Sequence, residues 1–239
     1  MELVLRNITK KFESKEVLNG ANFTFKKGKI YGLLGRNGAG KTTLFNCLAG
    51  ELKMDSGEAF LKDGSTSQKL EVDDIGYVLS TAILPEFLTG YEFIKFFIDI
   101  NKSKIKSHDT INNYFDLLKI DEEDRHKLIK DYSHGMKNKV QMMMFLIAKP
   151  PVILLDEPLT SLDVVVALEI KKLLKEIRKD HIIIISTHIL QLATDLCDEI
   201  VALNEGELEL LDSEMLRSKD FEEKLVKLLS EEGVHAHNS

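Results

Sequence analysis

The hydrophobic pattern changes period several times along the chain, and each change predicts a change of element. From Leu3 to Ile30 apolar and polar residues broadly alternate around a turn-like Phe25-Lys26-Lys27-Gly28 segment, the pattern of a small antiparallel sheet at a domain edge. Ile30 to Leu34 is a continuous apolar strand that runs into a glycine-rich turn, and Lys41 to Ala49 then reads as a helix closed by Gly50. Between Glu86 and Lys149 apolar residues recur at helical spacing, through Phe93, Ile94 and Phe97 and again through Tyr114, Leu117 and Leu118, which predicts a helical insert. After Pro150-Pro151 come Val152 to Leu155 and Ile182 to Ile185, apolar at every position and joined by a helical stretch from Val164 to Lys179. Strands buried on both faces belong to parallel sheets. Ile200 to Leu203 and Glu207 to Leu211, around Asn204-Glu205-Gly206, predict a terminal hairpin, and Phe221 to Leu229 an amphipathic tail helix.

Composition narrows the class. With 239 residues, 44% hydrophobic and 30% charged, the chain has the balance of a soluble protein with a sizeable core. One domain is expected, with an antiparallel lobe at about 1–30 and 57–79, a core at 30–56 and 150–211, a helical lobe at 86–149 and a tail at 212–239. No apolar run approaches the ~20 residues of a spanning helix. Met1 to Lys11 has no export-signal pattern, so a cytoplasmic location is expected. A formal charge of −7 argues against a nucleic-acid partner, whose phosphates call for Lys and Arg. Cys47 and Cys197, too few for a disulfide framework or metal cluster, are expected to act as small buried hydrophobes.

The turn after Leu34 carries chemistry. Gly35, Arg36, Asn37, Gly38, Ala39, Gly40, Lys41, Thr42 and Thr43 match the phosphate-loop pattern G-x-x-x-x-G-K-[ST], and they lie between a strand and a helix, as that pattern requires. Glycines let the backbone curl so that successive N–H groups face phosphate oxygens, and the helix dipole adds positive potential. Lys41 is then expected to reach the β- and γ-phosphates of ATP, and the Thr42 hydroxyl to ligate Mg²⁺, a hard ion that prefers oxygen.

The strand from Val152 ends in Asp156 and Glu157. Neighbouring strand residues face opposite sides, so the two carboxylates can do different work: Asp156 holding Mg²⁺ and Glu157 polarising the water that attacks the γ-phosphate. His188 follows the neighbouring strand candidate, at the sheet edge where open α/β folds bind ligands, and is placed to contact the γ-phosphate.

Together these motifs, over Leu3 to Leu211, resemble the ATP-binding cassette family. The resemblance implies an α/β fold, a RecA-like P-loop NTPase core with an antiparallel β subdomain and a helical insert. Ser161-Leu162-Asp163 resembles the family's dimer-contact loop, with Asp163 reaching the partner, and His188 its switch histidine. Tyr132-Ser133-His134-Gly135-Met136-Lys137 falls where the family has its LSGGQ-type signature, so Ser133, Gly135 and Met136 are expected to cap ATP bound by a second copy. Ser133 supplies a hydroxyl, Gly135 close backbone approach, and the helix start faces the anion. Phe12 lies where the family stacks an aromatic ring on adenine, although a core phenylalanine fits the same position.

Two departures stand out. The signature has His134 and Met136 in place of glycine and glutamine, a variant that resembles bacterial exporter ATPases with separate membrane subunits. Ser80 stands where the family has a glutamine that touches Mg²⁺ and the attacking water; its shorter stem calls for an intervening water and implies slower or more loosely coupled hydrolysis.

The resemblance thus implies an ATPase that dimerises on ATP, as a homodimer or a heterodimer, and drives an integral membrane transporter subunit from the inner face of the membrane. The rival class is a soluble assembly or regulatory module driven by the same cycle. Phe87, Tyr91, Phe93, Phe96 and Phe97 discriminate: exposed, they suit docking to a membrane subunit; buried, they are core. Acidic Glu222, Glu223, Glu231 and Glu232 disfavour the tail as an anchor to anionic lipid. Cargo, and import versus export, stay open because the translocation path lies on the partner.

Overall fold

The structure is a computed structural model that describes residues 1–102, 105, 110–159 and 164–211. The Ser161-Leu162-Asp163 loop, the tail at 212–239 and its Phe221 to Leu229 helix lie outside the described residues.

Two sheets organise the chain. The first is antiparallel and four-stranded: β1 (Glu2–Phe12), β2 (Lys15–Lys26), β4 (Ser56–Asp63) and β5 (Thr66–Lys69), in the order β2-β1-β4-β5. The second has six strands, β3 (Ile30–Leu34), β6 (Ile75–Val78), β7 (Val152–Asp156), β8 (Ile182–Thr187), β9 (Glu199–Asn204) and β10 (Glu207–Leu210), in the order β10-β9-β3-β8-β7-β6. All its pairings are parallel except the terminal β9–β10 hairpin. Ile75 to Val78 corrects the expected division. Assigned by sequence to the antiparallel lobe at 57–79, this strand pairs in parallel with β7, Val78 opposite Leu155. It is four residues long with a glycine at its second position, too short for its period to reveal a core strand.

The continuous apolar runs have a direct cause. Alternate residues of each core strand enter two different cores: Val152, Leu154, Ile182 and Ile184 pack toward α1 (Lys41–Leu48) and the antiparallel sheet, whereas Ile153, Leu155, Ile183 and Ile185 pack on the opposite face. That second face is covered by helices of the insert, α2 (Gly90–Ile100), α3 (Ile111–Leu117) and α5 (His134–Ala148), and by α6 (Val164–Ile177), with the short α4 (Glu122–Arg125) set against α2. Burial of each such Ile or Leu contributes about 1.5–3 kcal/mol, so both faces must stay apolar up to the strand ends. Polar residues first enter β7 and β8 at Asp156 and Ser186, which are opposite one another in register. The short α7 (Leu190–Leu196) packs beside β3 and β8.

Cys47 is buried in the first core, while Cys197 is half-buried, its thiol pushed up to about 12 by burial. Both are free. Among the described residues, no helix is long and apolar enough to cross a membrane.

Candidate active site

The glycine-rich turn joins β3 to α1 and lines a cavity of about 270 Å³ together with Phe12, Val17 and Glu157. Its curl depends on glycine at two points. Gly40 has φ +108°, and a Cβ there would come within 2.8 Å of Val17; a Cβ on Gly35 would meet the Leu203 carbonyl at 2.9 Å. Neither position accepts another residue without displacing the loop.

Lys41 opens α1 but is buried, its ammonium donating to the carbonyls of Gly35 at 2.7 Å and Arg36 at 3.2 Å. Burial pulls its pKa below the usual 10.5, against the attraction of Glu157 and Asp156. The lysine therefore sits between the loop and the two acids. Thr42 Oγ1 donates to Asp156 Oδ2 at 2.9 Å, which places two hard oxygens side by side at the helix start. Ser186 Oγ donates to the other oxygen of Asp156, Oδ1.

Glu157 departs from the strand geometry read from the sequence. Its φ of +50° leaves the extended region, so alternation ends at Asp156, and Glu157 lines the same cavity as the loop instead of turning to the opposite face. Its N–H is held by the carbonyl and the hydroxyl of Ser186, both at 3.2 Å. Its Oε1 lies 2.8 Å from Nδ1 of His188. A non-glycine residue held at positive φ stores about 1–3 kcal/mol of strain, and such positions cluster at functional sites.

Phe12 is not a core residue: it is 43% exposed on the rim of the loop cavity, with the Lys10 ammonium 5.4 Å from its ring centre. Ser80 is exposed just past β6; it is two residues beyond Val78, whose partner Leu155 is two residues before Glu157. Ser133 caps α5 by accepting the Met136 N–H at 3.2 Å, and Gly135 faces Val166 of α6. Ser133, Gly135 and Met136 do not line the loop cavity of their own chain, and Asp163 is outside the described residues. Sequence reasoning assigned no role to Ser186; the available signal was its register with Asp156 in an otherwise apolar strand.

The family described as ABC transporter matches residues 18–160, which span the loop, the signature helix and the acidic strand end. The chain belongs to the ABC transporter family. This ABC cassette is 30% identical over 226 residues to the uncharacterized ABC transporter ATP-binding protein YhcH of Bacillus subtilis, covering 92% of this chain and 72% of that protein. It is 33% identical to the bacitracin transport ATP-binding protein BcrA of Enterococcus faecalis (87% and 68% covered) and 32% identical to a probable sulfate/thiosulfate import ATP-binding protein, CysA, of Chlorella vulgaris (87% and 89%). In fold it is similar to an ATP-binding subunit of an ABC transporter (TM-score 0.80, 22% identity, 95% and 99% covered). The same holds for the dimeric cassette MJ0796 bound to ADP and Pi (TM-score 0.74, 23% identity, 90% and 99% covered). The cassette is an ATPase of the kind that serves transporters, and its relatives include proteins named for import as well as for bacitracin transport.

Proposed function

We propose that this cassette hydrolyses ATP at the cavity formed by Gly35 to Thr43, Asp156, Glu157 and His188, and that the cycle drives an exporter whose membrane-spanning part is a separate subunit. Lys41, Thr42 and Glu157 line one cavity, with Asp156 buried behind it and bonded to Thr42, and this convergence carries the reading. Loop amides and Lys41 take the triphosphate, which replaces the Gly35 and Arg36 carbonyls as the ammonium's partner. Phe12, on the rim, offers a flat apolar face to adenine.

Thr42 and Asp156 fit Mg²⁺, which takes few protein ligands and completes its shell with phosphate oxygens and water; among the described residues no group of three or more acids, histidines and cysteines competes for it. When bound, the ion would offset charge on the β- and γ-phosphates. Glu157 accepts a proton from the attacking water, and His188 holds the Glu157 carboxylate in position beside the γ-phosphate. Ser80 reaches this region through a water.

Ser133, Gly135 and Met136 stand at the start of α5, where they suit the γ-phosphate of a second copy, and the family resemblance adds Asp163, outside the described residues, to the same contact; a dimer with two sandwiched ATP molecules follows. Homodimer and heterodimer both satisfy this arrangement. Docking of a membrane subunit is supported on the helical insert: Phe87 is 79% and Phe96 55% exposed, whereas Phe93 is buried and Tyr91 and Phe97 are half-buried. A cleft of about 380 Å³ beside them is bounded by Tyr77, Ile83, Phe97, Gln141 and Met144. Exposed aromatics beside a cleft mark a contact surface. Export is favoured by the Tyr132 to Lys137 signature, which resembles that of bacterial exporter ATPases. The subunit is then peripheral on the cytoplasmic side.

The test is purification of the tagged chain from detergent-solubilised native membranes. The proposal expects an integral membrane protein to accompany it and to raise its ATP turnover when both are placed in liposomes. Recovery of soluble proteins only, with no integral partner, would instead establish the regulatory-module reading.

A further inference from the structure

Ser186 ties together the two acids of the site. Its side chain has no solvent exposure and is the first polar group of β8 after four isoleucines. On the α1 side of the sheet it stands opposite Asp156 in register. One hydroxyl makes two different bonds: it donates to Asp156 Oδ1 and accepts the N–H of Glu157 at 3.2 Å. Asp156 is itself buried, so its two oxygens have separate partners, Ser186 on Oδ1 and Thr42 on Oδ2. That division fixes the rotation of the carboxylate about its χ2 torsion, a broad and easily displaced angle when nothing holds it. A buried hydroxyl at the end of a strand of isoleucines would cost about 1–3 kcal/mol if unpaired, and here its donor and an acceptor lone pair are both engaged by Asp156 and the backbone of Glu157.

We propose that Ser186 is a positioning residue: it presents Asp156 Oδ2 to the metal of Mg-ATP and holds the backbone of Glu157 at its positive φ. This rests on the reading of Asp156 as the metal's carboxylate. The chain thereby places one hydroxyl behind the metal acid and in front of the base, so that loss of the hydroxyl is felt at the metal before it is felt at the nucleotide.

The experiment compares full-length parent, Ser186→Ala, Ser186→Thr and Asp156→Asn by calorimetric titration of ATP, first with EDTA and then at increasing Mg²⁺, beside steady-state turnover. Partners behind a metal ligand are worth about 10–100-fold in metal affinity, so Ser186→Ala should raise the Mg²⁺ concentration for half-maximal effect by about 10-fold. Metal-free ATP affinity should stay within about 2-fold, since the loop amides and Lys41 are untouched, and this doubles as a check that the variant is folded. Ser186→Thr keeps the hydroxyl and should restore most of the Mg²⁺ response. A Ser186→Ala protein with the parent's Mg²⁺ requirement, while Asp156→Asn shifts it, overturns the inference alone. If neither variant shifts it, the assignment of Asp156 fails and takes the inference with it. Should Ser186→Ala not fold, a Ser186→Thr protein that binds metal-free ATP normally but needs about 10-fold more Mg²⁺ also overturns the inference, because its hydroxyl is retained.

Discussion

His188 Nδ1 and Glu157 Oε1 lie 2.8 Å apart, a contact across 31 residues that joins the end of β8 to the residue after β7. The two side chains act as a unit, and units give non-additive kinetics. Glu157→Gln should lower ATP turnover by about 100-fold or more while leaving ATP binding, and should accumulate an ATP-bound dimer. His188→Ala should lower turnover by a similar order, and the double variant should fall little below Glu157→Gln alone. Turnover assays on the four proteins, with size-exclusion chromatography in ATP, check this; parental turnover in Glu157→Gln removes it as the base.

The Ser80 position calls for the opposite kind of change. A glutamine side chain reaches further than serine's toward the end of β7, so Ser80→Gln should raise turnover in the presence of the membrane partner by a few fold, on the order of 1 kcal/mol in barrier. An unchanged rate, both alone and with the partner, rules out a restraining effect of serine.

Gly90, the first residue of α2, lies against the ring of Tyr132: a Cβ there would stand 2.1 Å from the phenol oxygen, which donates to the Asp124 carbonyl at 2.7 Å. Gly90→Ala should destabilise the fold by about 1–3 kcal/mol by overpacking, measured as a lower urea midpoint. In a Tyr132→Leu background the same change should cost less, because the phenol it collides with is gone.

His181, at the start of β8, is buried and neutral, with Nδ1–H donating to the Pro150 carbonyl at 2.6 Å. Burial holds its pKa below the ordinary 6.5, outweighing the bond to Pro150. Below pH 6.5 the unfolded chain takes a proton that the folded chain resists, so stability falls with pH in that window, by at most about 1.4 kcal/mol per pH unit from this group. Urea midpoints at pH 7.5 and 5.5 should separate less in His181→Gln than in the parent; equal separations would remove the effect from His181.

The chemistry of this chain was legible where local backbone makes it. The loop from Gly35 to Thr43 and the Asp156-Glu157 pair announce themselves because their functions need fixed residue types at fixed spacing along one segment. Core strands were legible for a related reason: two-sided burial leaves no polar position until Asp156 and Ser186. What escaped is what only the sheet brings together. The parallel pairing of Ile75 to Val78 with β7, the turn of Glu157 back into the loop cavity and the two bonds of Ser186 each depend on a neighbour at least 29 residues away or on a single φ. Phe12 was ambiguous for the same reason, since its place on the cavity rim depends on the loop residues from Asn37 to Thr43, at least 25 residues away.

Calorimetric titration of ATP with Mg²⁺ into the parent chain and into Lys41→Ala bears most directly on the claim that this loop holds the triphosphate. The parent should give a saturable heat, and loss of the ammonium should weaken binding by about 100-fold, the worth of a charge-assisted bond of roughly 2.7 kcal/mol. A parent that gives no heat, or a Lys41→Ala variant that binds as the parent does, would contradict it.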